Sequence, residues 1–78
     1  MRRKMTENEL SILTLLDKKG QAMYADIEPL MVKDHHDIYW TTFSTICSLI
    51  QAGIMTADNH PANYTLTAYG RSKALELL

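Results

Sequence analysis

The chain has 78 residues, 46% of them hydrophobic and 22% charged, with a formal net charge of −1; these values are typical of one folded globular domain and exclude a disordered chain. No apolar run approaches the roughly 20 residues that span a bilayer, and the basic residues 1–4 precede polar residues rather than the apolar core of a signal peptide. We therefore predict a single domain over residues 1–78, without a membrane partner and in the cytoplasm, with residues 1–5 as a basic, flexible N-terminal arm.

The first predicted helix covers about residues 7–19. Thr6 is a good N-cap, and Glu9 three residues later completes a capping-box pattern. Leucine and isoleucine then recur at helical spacing, and Gly20 can take the left-handed conformation that ends a helix. This is the clearest element of the chain.

A short helix is predicted within residues 24–31, after a segment at 21–23 that is too short for more than a strand with one bridge. Asp26 is expected to be its N-cap, which places Pro29 in the first turn, where the missing N–H has no helical partner. The side chains expected to point inward are Ile27, Leu30 and Met31.

The third predicted helix covers about residues 38–52, and Gly53 is its expected cap. Apolar side chains at helical spacing predict that one face packs inward; these are Tyr39, Phe43, Ile46, Leu49 and Ile50. The opposite face is polar but uncharged, which is unusual for a helix that only faces solvent. Its residues are Trp40, Thr41, Ser44, Thr45, Ser48 and Gln51.

A two-stranded hairpin is predicted from residues 54–57 and 63–66, around a loop of about five residues that Pro61 stiffens. Thr67 can cap a last helix. The apolar side of that helix is formed by Ala74, Leu75, Leu77 and Leu78. Helices combined with a short hairpin predict the α+β class.

Two segments carry a resemblance to a known family. Residues 43–54 form an apolar-faced helix that ends in Gly53-Ile54, and Leu66-Thr67-x-x-Gly70-Arg71 leads from a strand into a capped helix. This order, over about residues 6–78, resembles the PadR and MarR groups of winged-helix transcription regulators. The resemblance implies a winged helix-turn-helix fold: a three-helix core, a two-stranded β-hairpin wing at residues 54–66 and a C-terminal helix.

The leading hypothesis is therefore a small transcription regulator that binds double-stranded DNA, since the resemblance implies that the third helix enters the major groove and the wing touches the DNA backbone or minor groove. The residues that it places at the DNA are Tyr39, Trp40, Thr41, Ser44, Thr45, Ser48 and, on the wing, His60. The expected phosphate contacts are Arg2, Arg3, Lys4, Lys33 and Arg71. Relatives usually carry Arg or Lys along the helix and wing, whereas this chain has neither between Lys33 and Arg71.

The alternative hypothesis is a protein–protein interaction module, in an accessory or mobile-element protein, with little affinity for DNA. An uncharged helix face with Trp40 at its centre has the composition of a protein interface. We also expect a homodimer through the first helix, the last helix or both, because these helices carry more apolar residues than a small core needs. Those residues are Leu10, Ile12, Leu75, Leu77 and Leu78.

Catalytic and metal-binding patterns are absent from the sequence. No Ser-His-Asp spacing, glycine-rich phosphate loop or carboxylate pair is evident. His35 and His36 are adjacent on a turn and cannot easily converge on one ion, and the single Cys47, beside the apolar stripe, is expected to be a small buried thiol. We predict no enzyme activity, no metal and no cofactor.

Overall fold

Capping interactions set both ends of the first helix. In the computed structural model of the chain, which describes residues 4–33, 35, 37–58 and 63–78, α1 covers Glu7–Lys19, as predicted. The Thr6 hydroxyl accepts a hydrogen bond from the Glu9 N–H, and the Glu9 carboxylate accepts one from the Thr6 N–H at 2.8 Å. Gly20 ends the helix with a φ of 85°. The predicted capping box is therefore confirmed.

The remaining elements of the described chain are short strands and helices. After α1 come β1 (Ala22–Met23), α2 (Tyr24–Ile27), a 3₁₀ turn (Glu28–Leu30), α3 (Ile38–Gln51), β2 (Met55–Ala57), β3 (Asn63–Leu66) and α4 (Ala68–Leu77). This is an α+β architecture, compatible with a winged-helix arrangement. Within the described residues, no helix combines the length and the apolar character that crossing a bilayer requires.

The start of α2 differs from the prediction. Asp26 is not the N-cap; its carboxylate accepts the N–H of Met23 at 3.0 Å, so the helix starts earlier, at Tyr24. Ile27 is buried as expected, but Leu30 is exposed. The chain continues past Ile27 as a 3₁₀ turn that ends at Leu30, and the extended Met31 that follows is buried, as expected.

Three strands form one small antiparallel sheet in the order β1-β3-β2. The predicted hairpin is confirmed by the pairing of Met55 with Leu66 and of Ala57 with Tyr64. On its other side, β3 pairs with β1, where Ala22 lies opposite Tyr64. The segment expected to form one bridge therefore forms two and joins the sheet as a third strand.

The face of α3 that packs inward is not the one that the apolar spacing predicted. Ile46 and Leu49 are buried as predicted, but Thr41 and Thr42 also face the core, with 2% and 0% of their surfaces exposed. The Thr42 hydroxyl donates to the carbonyl of residue 38 at 2.7 Å. Because a threonine in a helix can satisfy its hydroxyl on the preceding turn, its methyl group can pack inward at little cost. Relative to the predicted orientation, α3 is therefore rotated about its own axis. Tyr39, Phe43 and Ile50, which were expected to face inward, are exposed.

The C-terminal helix is held against the turn that follows α3. Thr67 caps α4 as predicted, since its hydroxyl accepts the Gly70 N–H at 2.9 Å. A Cβ on Gly70 would overlap the Ile54 carbonyl and lie 3.2 Å from a methyl group of Leu66. Glycine at this position therefore allows a close approach of the helix backbone. Ala74 is buried as predicted, whereas the other members of the expected apolar side are exposed: Leu75, Leu77 and Leu78.

Candidate interaction surface

Four aromatic rings touch one another at the start of α3. The helix begins here because the Asp37 carboxylate accepts the Trp40 N–H at 2.9 Å and so caps the first turn. The Tyr39 ring centroid lies 5.2 Å from that of Trp40, 6.2 Å from that of Phe43 and 6.1 Å from that of Tyr24 on α2. Trp40 and Phe43 meet edge to face at 5.9 Å. We call these four residues the aromatic patch.

The aromatic patch is in contact with solvent. Tyr39 exposes 50% of its surface, Trp40 53% and Phe43 45%, and Tyr24 is half-buried beneath them. Contacts among the rings give the patch a defined shape, since edge-to-face and offset pairs are the favoured geometries. Three adjacent, half-exposed aromatic residues on one helix form the kind of apolar surface that marks an interaction site.

The charges fixed beside the patch are negative. The Tyr24 hydroxyl donates to the Glu28 carboxylate at 2.7 Å, and Asp37 stays at the helix start through its bond to Trp40. Burial raises the pKa of the Tyr24 phenol, and the hydrogen bond to Glu28 raises it further. A third carboxylate, Asp26 on α2, accepts the Met23 N–H. Within the described part of the chain, none of these three carboxylates is in an ion pair.

The hydroxyl groups predicted to face DNA have different environments. Thr41 is buried, so the prediction that it faces a groove is wrong; the rotation of α3 turns it to the core. Thr45 is half-buried and donates to the Thr41 carbonyl at 2.7 Å. Ser48 is also half-buried, and its hydroxyl donates to the buried Glu9 carboxylate at 2.8 Å. Ser44 alone of these hydroxyl residues is exposed.

A shallow pocket of about 400 Å³ separates this hydroxyl side of α3 from the start of α1. Lys33 lines it together with Ser44 and Ser48. The Asn8 side chain fixes the chain before α3, because it accepts the Val32 N–H at 2.8 Å and donates to the Val32 carbonyl at 2.9 Å. The structure thus brings one predicted phosphate contact, Lys33, next to predicted DNA-facing residues.

The other predicted phosphate contacts are placed elsewhere or lie outside the described residues. Lys4 lines a groove between α1 and α4. The Arg71 guanidinium donates to the Leu66 carbonyl at 3.3 Å and so faces the sheet. Three further predicted contacts fall on residues that the structure does not describe: Arg2, Arg3 and His60.

The helices expected to dimerise carry part of the expected apolar surface. Ile12 is fully buried, so it belongs to the core and its expected role in a dimer is wrong. Leu10 is half-buried and, with Leu77, lines the groove of about 960 Å³ between α1 and α4. Leu75 and Leu78 are exposed.

Sequence reasoning missed Tyr24 and Phe43 as members of a surface, and it missed the nearby carboxylates. The available signal was the spacing of Tyr39, Trp40 and Phe43, which places three aromatic residues on adjacent positions of one helix face. The same spacing is typical of a buried stripe, and only the burial of the threonines decides between the two. Cys47, expected to be buried, is half-buried on this helix.

Comparison with known proteins adds no family. No protein-family model matches the chain, and no curated protein matches it.

Proposed function

We propose that the chain is a winged-helix protein–protein interaction module that docks a partner protein on the aromatic patch. The winged-helix interpretation is supported by the order of three helices, a hairpin and a capped C-terminal helix. The observation that carries the functional proposal is the set of three rings on α3 that contact one another and remain about half exposed.

Exposure of these rings is energetically unfavourable unless a partner covers them. Each aromatic side chain buries about 150–250 Å² when fully enclosed, and apolar area contributes about 25 cal/mol per Å². The half of each ring that stays in water therefore leaves a substantial contribution unused. Aromatic residues, and tryptophan above all, are the residues on which protein interfaces most depend. A protein partner would recover this contribution.

The charges of the same surface disfavour DNA. Duplex binding gains affinity mainly from Lys and Arg that neutralise phosphates, and α3 and the strands of the hairpin carry neither. Asp37 and Glu28, which adjoin the aromatic patch, would repel a phosphate backbone. Protein docking is therefore better supported than reading of a major groove by this face.

A second candidate function is duplex DNA binding, in a transcription regulator that resembles the PadR and MarR groups. One observation favours it: Lys33 and the exposed Ser44 line the same pocket beside α3, which also contains Glu7 and Glu9. Hydroxyl donors can bond phosphates or base edges. DNA would then approach α3 from the α1 side, away from the aromatic patch.

Selection from a library of displayed random peptides, run beside selection from random duplexes at low salt, tests the proposal. The parent chain is compared with Trp40→Ala, Phe43→Ala and the matched control Tyr69→Ala. Tyr69 exposes 53% of its surface, the same fraction as Trp40, and lies on α4. Circular dichroism establishes that each variant is folded.

We expect peptides that bind the parent and Tyr69→Ala but neither of the other two variants. The proposal is wrong if no selected peptide depends on the aromatic patch. Enrichment of a duplex sequence, lost in Ser44→Glu but kept in Trp40→Ala, would establish the second candidate instead.

A further inference from the structure

We infer that the partner segment that docks on the aromatic patch is cationic and carries arginine or lysine next to an apolar side chain; the inference rests on the proposed function. Two features of the surface indicate a cationic partner: the exposed ring faces and the carboxylates fixed beside them.

The rings of the aromatic patch offer sites for a cation, and no described residue fills them. A Lys or Arg within about 6 Å of an aromatic centroid is attracted by the electrons of the ring face. The chain makes such a contact on α4, where the Lys73 ammonium lies 5.9 Å from the Tyr69 centroid. Among the described residues, no cation of the chain is placed over a ring of the aromatic patch.

Two carboxylates are held where a docked cation could reach them. Glu28 is fixed by the Tyr24 hydroxyl at 2.7 Å, and Tyr24 packs on Tyr39. Asp37 is fixed by the Trp40 N–H at 2.9 Å. Each carboxylate has further lone pairs to offer, and arginine pairs well with both a ring face and a carboxylate because its guanidinium is planar.

Among the described residues, no Lys or Arg is in an ion pair with these carboxylates. Lys33, the Lys or Arg nearest to both carboxylates in sequence, lines the pocket with Thr6 and Ser48 on the α1 side of α3. An acidic peptide or a phosphate at the aromatic patch would therefore meet two negative charges that no described Lys or Arg pairs. The charge complement of this surface is a basic segment.

Neutral substitutions that keep the hydrogen bonds isolate the contribution of charge. Glu28→Gln and Asp37→Asn retain an acceptor oxygen for Tyr24 and for the helix cap, since asparagine is as good an N-cap as aspartate. Asp17→Asn is the matched control, because Asp17 is an exposed carboxylate on α1. The peptides selected by the parent supply the ligands, and the fluorescence of Trp40, the only tryptophan, reports binding.

We expect the patch-dependent peptides to be enriched in Arg and Lys and depleted in Asp and Glu. Replacement of the Arg and Lys of the tightest peptide by Gln should weaken binding about ten-fold, as should the Glu28→Gln/Asp37→Asn double variant. Asp17→Asn should leave the affinity unchanged. Raising the salt concentration should weaken binding of the parent, a measurement that needs no variant.

The two proposals fail in different ways. Peptides that require Trp40 and Phe43 but show no enrichment in Arg and Lys, or that bind the double variant as tightly as the parent, overturn the cationic partner and leave the docking function intact. Absence of any patch-dependent peptide overturns the docking function itself.

Discussion

Truncation of Trp40 to alanine should separate binding from folding. Trp40 exposes 53% of its surface, so about 130 Å² of a side chain of roughly 250 Å² remains for a partner to cover. At about 25 cal/mol per Å², this covering contributes about 3 kcal/mol before the entropic cost of docking. If about 2 kcal/mol of it is realised, Trp40→Ala should raise the Kd for a selected peptide about 30-fold.

The assay compares peptide affinity, measured by anisotropy of a labelled peptide, with stability from urea unfolding. Tyr69→Ala removes an equally exposed aromatic side chain from α4, so it should cost similar stability and leave the affinity unchanged. Equal losses of affinity in the two variants would show that binding follows general stability and not the aromatic patch.

Three further predictions concern the fold that presents this surface, and urea unfolding checks each. Glu9→Ala removes a buried acceptor of the capping box and should lower the free energy of unfolding by about 2–3 kcal/mol. The control Glu7→Ala, in the same turn, should change the free energy of unfolding by less than about 0.5 kcal/mol. Equal effects of the two variants would be inconsistent with the capping role of Glu9. Gly70→Ala should destabilise the fold by about 1–3 kcal/mol because the methyl group of the alanine meets the Ile54 carbonyl. Helix propensity alone would favour alanine by about 1 kcal/mol. An unchanged midpoint of urea unfolding would contradict the close approach of α4 to Ile54. Burial is the first cause that raises the pKa of Tyr24 and of Tyr64, so the folded state holds these protons longer than the unfolded chain does. The contribution of the two phenols to stability should therefore be constant below about pH 10 and fall above it. Tyr24→Phe should reduce that fall, and an unaltered alkaline slope would contradict the assignment to Tyr24.

Local signals were enough to predict α1, α3, α4 and the strands of the hairpin. Thr6, Asp37 and Thr67 each lie at an N-cap, and each accepts the backbone N–H three residues later. Gly20 and Gly53 both have positive φ at helix ends. Such patterns depend on a few adjacent residues, and the sequence contains all of that information.

The rotation of α3 could not be predicted in the same way. Tyr39, Phe43 and Ile50 are more hydrophobic than Thr41 and Thr42, so periodicity favoured the wrong face. The outcome depends on which face of α3 packs on the rest of the fold. Both threonines are buried there, and the Thr42 hydroxyl is bonded to the carbonyl of residue 38 within the helix. For the candidate site, this rotation turned an expected core stripe into the exposed aromatic patch and buried one expected DNA contact.

The homodimer through α1 and α4 stays a prediction. The exposed leucines at the end of α4 and the groove beside Leu10 are compatible with it. Light scattering should give twice the monomer mass, and deletion of residues 75–78 should lower that mass. A monomer at high micromolar concentration would contradict it.

Docking on the aromatic patch can be measured by titration of Trp40 fluorescence at low salt, with a selected peptide in one series and a random-sequence duplex in the other. Trp40 is the single tryptophan and lies in the aromatic patch, so its signal reports occupation of that surface. We expect a saturable change with the peptide and none with the duplex. Absence of a change with every selected peptide, or an equal change with the duplex, would show that the patch is not a protein-docking surface.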